Sequence, residues 1–314
     1  MNITNENIND FLNKYISDVD SLSTKYNYPN NIRHVLYLIV PAFIIKYGLK
    51  EERKILKCFD EVPVYISGIE DKRFTAYFNR SLHLKEENGI NKYFSTKQIV
   101  INNYDNIGLV ELIDNLVHEF NHAVNSIENE IRWDDKQVSL RTGLSHINFD
   151  KFDIDKVNSR SKDIVLEEII NTKQTEDIIN IINSFNNYSI TNQEFVNTLY
   201  SLKHDIKGSE YKSDAYYFQS YICKELMKNK TFIPTIENLR LNGNVDDIES
   251  WFDNITRVNN SYKKLVALLD EILREDANLS KVKFFKKYRI NKILEKSREV
   301  LDIISIFEKN CIYK

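Results

Sequence analysis

The sequence predicts an α+β protein, mostly α-helical: a lobe with a small sheet and one long amphipathic helix, followed by a helical lobe. Three observations point there. Apolar residues recur at helical spacing over most of the chain. Short runs of β-branched and aromatic residues are confined to 60–104 and 138–149. Only 7 Gly and 4 Pro occur in 314 residues, which leaves little room for long flexible linkers. With 42% hydrophobic residues the chain can bury a sizeable core, as two domains or as one large two-lobed domain.

Residues 6–57 read as helices, because Ile8, Phe11, Leu12 and Tyr15 share one helical face and the apolar run 35–45 follows. That run is too short for a bilayer span, which needs about 20 residues. Its Pro41 and the flanking His34 and Lys46 suit a buried helix. Residues 62–66, 74–78 and 98–101 read as strands of a small sheet, punctuated by Gly68 and Gly89. A long helix is expected over about 108–129, then a strand at 138–141, a turn or bulge at Gly143, and its continuation at 145–149. From Lys162 the periodicity is almost wholly helical, with breaks near 186–187, 207–208, Pro234 and 242–243. This divides the chain into an N-terminal helical segment (1–58), a metal-binding core (59–185) and a C-terminal helical lobe (186–314).

The formal charge of −3 is spread along the chain, so the basic footprint of a nucleic-acid binder is missing. Cys58, Cys223 and Cys311 are far apart without CxxC spacing and read as reduced, partly buried thiols. The polar start, Met1 to Glu6, lacks a basic residue followed by an apolar run. The expectation is a cytoplasmic protein with no signal peptide, membrane segment or nucleic-acid partner, signal-independent export staying open.

One motif carries chemistry: His118-Glu119-Phe120-Asn121-His122. On the helix expected there, an apolar stripe runs from Leu109 through Leu116 and Phe120 to Ile127. His118 and His122 lie one turn apart on the opposite face, so two imidazoles reach one metal ion. Glu119 is rotated to the side, where it addresses a water at the metal without becoming a ligand. A core-packing role would have put the histidines on the apolar stripe. A catalytic zinc needs a third protein ligand and an open position. The best source is 164–172, where apolar residues surround the helix and a buried Glu167 or Glu168 needs a partner. The competing reading is a solvated pair at a helix start, balanced by Lys162 or Lys173.

His118-Glu119-x-x-His122 followed by a glutamate-bearing helix resembles the gluzincin branch of the zinc metallopeptidases, thermolysin-like in plan. The 46-residue offset from His122 to Glu168 is longer than in thermolysin (168 − 122 = 46) and is similar to the anthrax-lethal-factor-like peptidases, which also carry His-Glu-Phe-x-His. The resemblance covers roughly 100–175. It implies a zincin-like lobe, one zinc per chain held by His118, His122 and Glu168, and Glu119 as general base in hydrolysis of a peptide or protein substrate. Glu167 stays open as the third ligand, since Asn171 then falls four residues on. Asn171 is a candidate to hold a histidine in either register.

Gluzincins commonly recruit a Tyr or His from a following helical lobe to stabilise the oxyanion. The segment 213–217 is the preferred source, with Tyr217 ahead of Tyr216, and Tyr211 and His204 nearby. The strand-like 97–103 is either an edge strand that accepts an extended peptide or a core strand. Arg141 either binds substrate or closes a hairpin loop as an ion pair. Two rival functions share the constellation: a catalytically silent peptidase-fold binding or regulatory protein, and a metal-dependent hydrolase of a non-peptide amide.

Overall fold

The structure is a computed structural model that describes residues 4–68, 75–88, 90–161, 163–205, 216–279 and 286–312. It is an α+β fold, mostly helical, with two small sheets. In chain order the elements begin with α1 (Ile8–Asn13), α2 (Ile16–Tyr26), α3 (Asn30–Tyr47) and α4 (Glu52–Glu61). The strands β1 (Val64–Ile66), β2 (Ala76–Glu87) and β3 (Ile90–Ile101) precede α5 (Leu109–Val124). Then come β4 (Ile131–Trp133), β5 (Gln137–Thr142), β6 (Ser145–Asp150), β7 (Val157–Arg160) and α6 (Ile164–Ser184). The remainder is helical: α7 (Gln193–Asp205), α8 (Tyr217–Ile222), α9 (Lys224–Lys228), α10 (Phe232–Asn242), α11 (Asp247–Thr256), α12 (Ser261–Leu279) and α13 (Lys286–Ile312).

The chain forms two compact units. The first comprises Met1–His83, Phe94–Val124 and Gln174–Ser213. Its centre is α3, whose apolar run from Val35 to Ile44 is buried, Pro41 included. Among the described residues no single helix is long and apolar enough to cross a membrane. Aromatic rings knit α3, α4 and α5 together: Phe43 meets Phe59 edge-on at 5.5 Å, and Phe59 stacks on Phe120 at 4.1 Å. The three-stranded sheet has the order β1-β3-β2, with β1 parallel to β3 and Val64 opposite Ile99. β3 is the middle strand of this sheet and β1 covers its residues 99–101, so over that stretch the core-strand alternative holds.

The second unit comprises Leu84–Tyr93, Asn125–Lys173 and Asp214–Lys314. Its antiparallel sheet runs β4-β5-β6-β7, with Arg141 opposite His146 and a bulge at Asn148/Phe149. The β2–β3 tip belongs here, Tyr93 donating its hydroxyl to the Lys151 carbonyl at 3.1 Å. The helices α10 to α13 share an aromatic core in which Phe252 stacks on Phe307 at 4.7 Å and Phe232 meets both edge-on.

Two boundaries differ from expectation. The α5 helix stops at Val124, not near 129, and beyond it the carbonyls of Asn125 and Glu128 accept the buried Arg141 guanidinium. The break expected at Pro234 falls earlier. Asn229 Oδ1 accepts the amides of Thr231 and Phe232 at 2.9 Å, and Pro234 sits in the first turn of α10, where a missing N–H costs nothing. At the other end Gly243, with φ +69°, closes α10 as expected, its neighbour Asn244 donating to the Leu239 carbonyl at 2.9 Å. The 207–208 break, Phe74 and Gly89 lie outside the described residues.

Candidate metal centre

The α5 helix begins after Gly108, whose carbonyl takes the Leu112 amide at 2.9 Å, and Glu111 places negative charge in its first turn. Its expected apolar stripe is buried. Its polar face is buried too over the last two turns: Glu119 is 8% exposed, Asn121 0% and His122 5%. Only His118 in the motif is half-buried. A helix that hides its polar residues must satisfy them inside the protein. Asn121 does so by accepting the Tyr47 hydroxyl from α3 and donating Nδ2 to Gln174 Oε1 of α6 at 2.9 Å. That network fixes the rotation of α5 and so the direction in which the two histidines point. The His118 and His122 rings stand edge-on with centroids 4.9 Å apart.

His118, His122 and Glu168 each offer a ligand atom, and the three atoms lie within 4.8 Å of one another. It is the one such group of His, Cys, Asp and Glu among the described residues. Two imidazoles and a carboxylate form a donor set suited to zinc, whose bonds to nitrogen and oxygen are about 2.0–2.2 Å.

Glu167, the neighbour of Glu168, has a different environment. It is 1% exposed, its carboxylate accepts the Leu144 amide at 2.7 Å and it is ion-paired with Arg240, itself fully buried. Arg240 also donates to Asn171 Oδ1 at 3.4 Å. Asn171, expected to hold a histidine, thus shares its amide oxygen with the cation of α10. Gly143 turns the β5–β6 hairpin at φ +53°, and a Cβ there would run into the Glu167 carboxylate.

Arg141 is 3% exposed and donates to the backbone carbonyls of Asn125, Glu128 and Gly143. Burial pulls its pKa down to about 10, with the Glu167 charge working the other way. It closes the hairpin onto the end of α5 through these carbonyls, as the hairpin-closing alternative expects. Arg240 had no signal in the sequence: its partner lies 73 residues away and α10 carries no motif.

Tyr217 opens α8, and its side chain lies outside the described residues, as do those of Tyr211 and His204. Tyr216 caps the same helix with φ +50°, an uncommon conformation for an aromatic residue. No family model matches the chain, and neither a curated protein nor a solved structure matches it significantly.

Proposed function

We propose that the chain is a zinc-dependent peptidase. The observation that carries this reading is the convergence of His118, His122 and Glu168 within 4.8 Å, on elements that also bear Glu119 between the histidines. A non-catalytic metal site of this kind has no use for the Glu119 carboxylate. When bound, zinc would supply Lewis acidity, polarising a carbonyl and lowering the pKa of water to about 7.

The chain's own residues supply the rest. His118 and His122 would hold the ion through their imidazole nitrogens, and Glu168 would add the negative charge that favours a divalent cation over solvent. Glu119, one residue from His118 and largely shielded from solvent, accepts the proton of the attacking water and returns it to the leaving amide nitrogen. Shielding strengthens every charge interaction at that carboxylate. Tyr217 remains the proposed donor to the developing oxyanion, an assignment supported by the resemblance alone.

The test is Glu119→Gln in purified protein loaded with one zinc. The expected result is retained zinc with peptide cleavage reduced by about 10²–10⁴-fold, the usual contribution of a general base. Full cleavage by the variant would refute the mechanism. His122→Ala is expected to lose both metal and activity.

A further inference from the structure

The last helix, α13, buries one face in the second unit and leaves another bare. On the inner flank its charges are used up: Arg289 and Lys292 pair with Glu275 of α12, Lys296 with Glu271, and Glu299 with Lys264. On the outer side Ile290, Leu294 and Leu301 are 46%, 48% and 47% exposed. Their spacing of four and seven residues sets them within about 40° of one another, as a single apolar line. Single exposed leucines are ordinary, but three in line over eleven residues of a long helix form a seam.

The seam has a charge at each end. Lys287 precedes Ile290 by one turn and Glu308 follows Leu301 by two. Among the described residues neither makes an ion pair. The order along the line is cation, apolar, apolar, Arg298, apolar, Ser305, anion. Laid antiparallel on a second copy of itself about a centre between residues 297 and 298, the line is self-complementary. Leu294 then faces Leu301 of the other copy, and Ile290 faces the aliphatic side of Ser305. Lys287 faces Glu308 at both ends. Arg298 falls beside the two-fold axis, with Glu295 and Asp302 one turn to either side to balance it.

We propose that α13 is a homodimerisation surface, pairing antiparallel with a second copy of this chain through Leu294 and Leu301 and the Lys287–Glu308 pairs. A two-fold axis makes each contact occur twice, so a short seam gains double from every favourable pair. The same seam laid parallel would set Lys287 against Lys287 and Glu308 against Glu308, which disfavours that arrangement. One helix face buries area at the low end for a specific interface, so the dimer is expected to form at micromolar concentrations. The proposal is independent of the metal site.

Sedimentation velocity of the full chain, from about 1 to 200 μM, tests it. The expected result is a concentration-dependent rise from the 37.2 kDa chain to twice that mass. Leu294→Glu with Leu301→Glu should abolish the rise while circular dichroism shows an unchanged helix content. Lys287→Glu and Glu308→Lys alone should each weaken association by roughly 5–20-fold, and their combination should restore it, because only antiparallel pairing re-forms both ion pairs. A monomer at every concentration would overturn the proposal. So would a dimer that survives the double glutamate change, or a combined charge swap no better than the single changes.

Discussion

Glu167 and Glu168 are neighbours on one helix and have opposite surroundings. Glu167 sits in a closed ionic cluster: Arg240 opposite it, the Leu144 amide on its other oxygen and Gly143 shaped to make room. Glu168 is half-buried and stands with two histidines, each offering a ligand atom within 4.8 Å of the others. A buried carboxylate with its own arginine is spent on architecture. A carboxylate grouped with two imidazoles brings together the donor types that a metal ion takes. The contrast teaches that burial alone does not mark a functional acid; the sign of its neighbours does.

Changes at the two positions should therefore dissociate. The largest expected effect is at the donor group: Glu119→Gln should cut cleavage by about 10²–10⁴-fold, and Glu168→Gln should lower zinc affinity by at least that much, with melting of the metal-free protein shifted little. Calorimetric zinc titration beside thermal unfolding checks both quantities on one preparation.

The reverse pattern is expected at the ionic cluster. Glu167→Ala leaves Arg240 buried and unpaired, at a cost of about 3–5 kcal/mol. That lowers the melting temperature by roughly 6–20 °C. Gly143→Ala should destabilise in the same direction, since it combines a positive φ with a collision against Glu167. If Glu167→Ala melted like the parent, the architectural role of the cluster would be wrong.

A smaller effect is expected behind the histidines. Asn121→Leu removes the acceptor of the Tyr47 hydroxyl and the donor to Gln174, a loss of about 1–3 kcal/mol. Denaturant unfolding measures it. Smallest is the behaviour of Cys223, whose thiol is pushed up to about 12 by full burial. It should resist alkylation at pH 8 in the native protein and react only on unfolding, as mass spectrometry after timed labelling would show.

These residues also explain what the sequence could tell. The HExxH pentapeptide was legible because a helix alone fixes the spacing of His118 and His122, and no distant residue has to be known. Glu168 was legible only as one of two, because the ion pair that occupies Glu167 comes from Arg240, far along the chain in α10. The end of α5 was misplaced for a similar reason. Its own residues continue a helical pattern to Ile127, but the chain leaves the helix after Val124 and the carbonyls of Asn125 and Glu128 go to Arg141 of the next hairpin. Asn121 is fully buried against Gln174, a partner 53 residues on that no local pattern could name. The strand β7 has every residue exposed and hence no alternation to read, and β4 is too short for one. Local periodicity reports what a segment does with itself, and long-range polar pairs are invisible to it.

The most direct test of the central claim is zinc-edge X-ray absorption on the protein reconstituted with one equivalent of zinc. The account predicts a first shell of nitrogen and oxygen at about 2.0–2.2 Å, with the outer-shell scattering of two imidazoles. Glu168→Gln should lose the ion or alter the oxygen shell. A shell lacking two imidazoles, or one unchanged by Glu168→Gln, would contradict it.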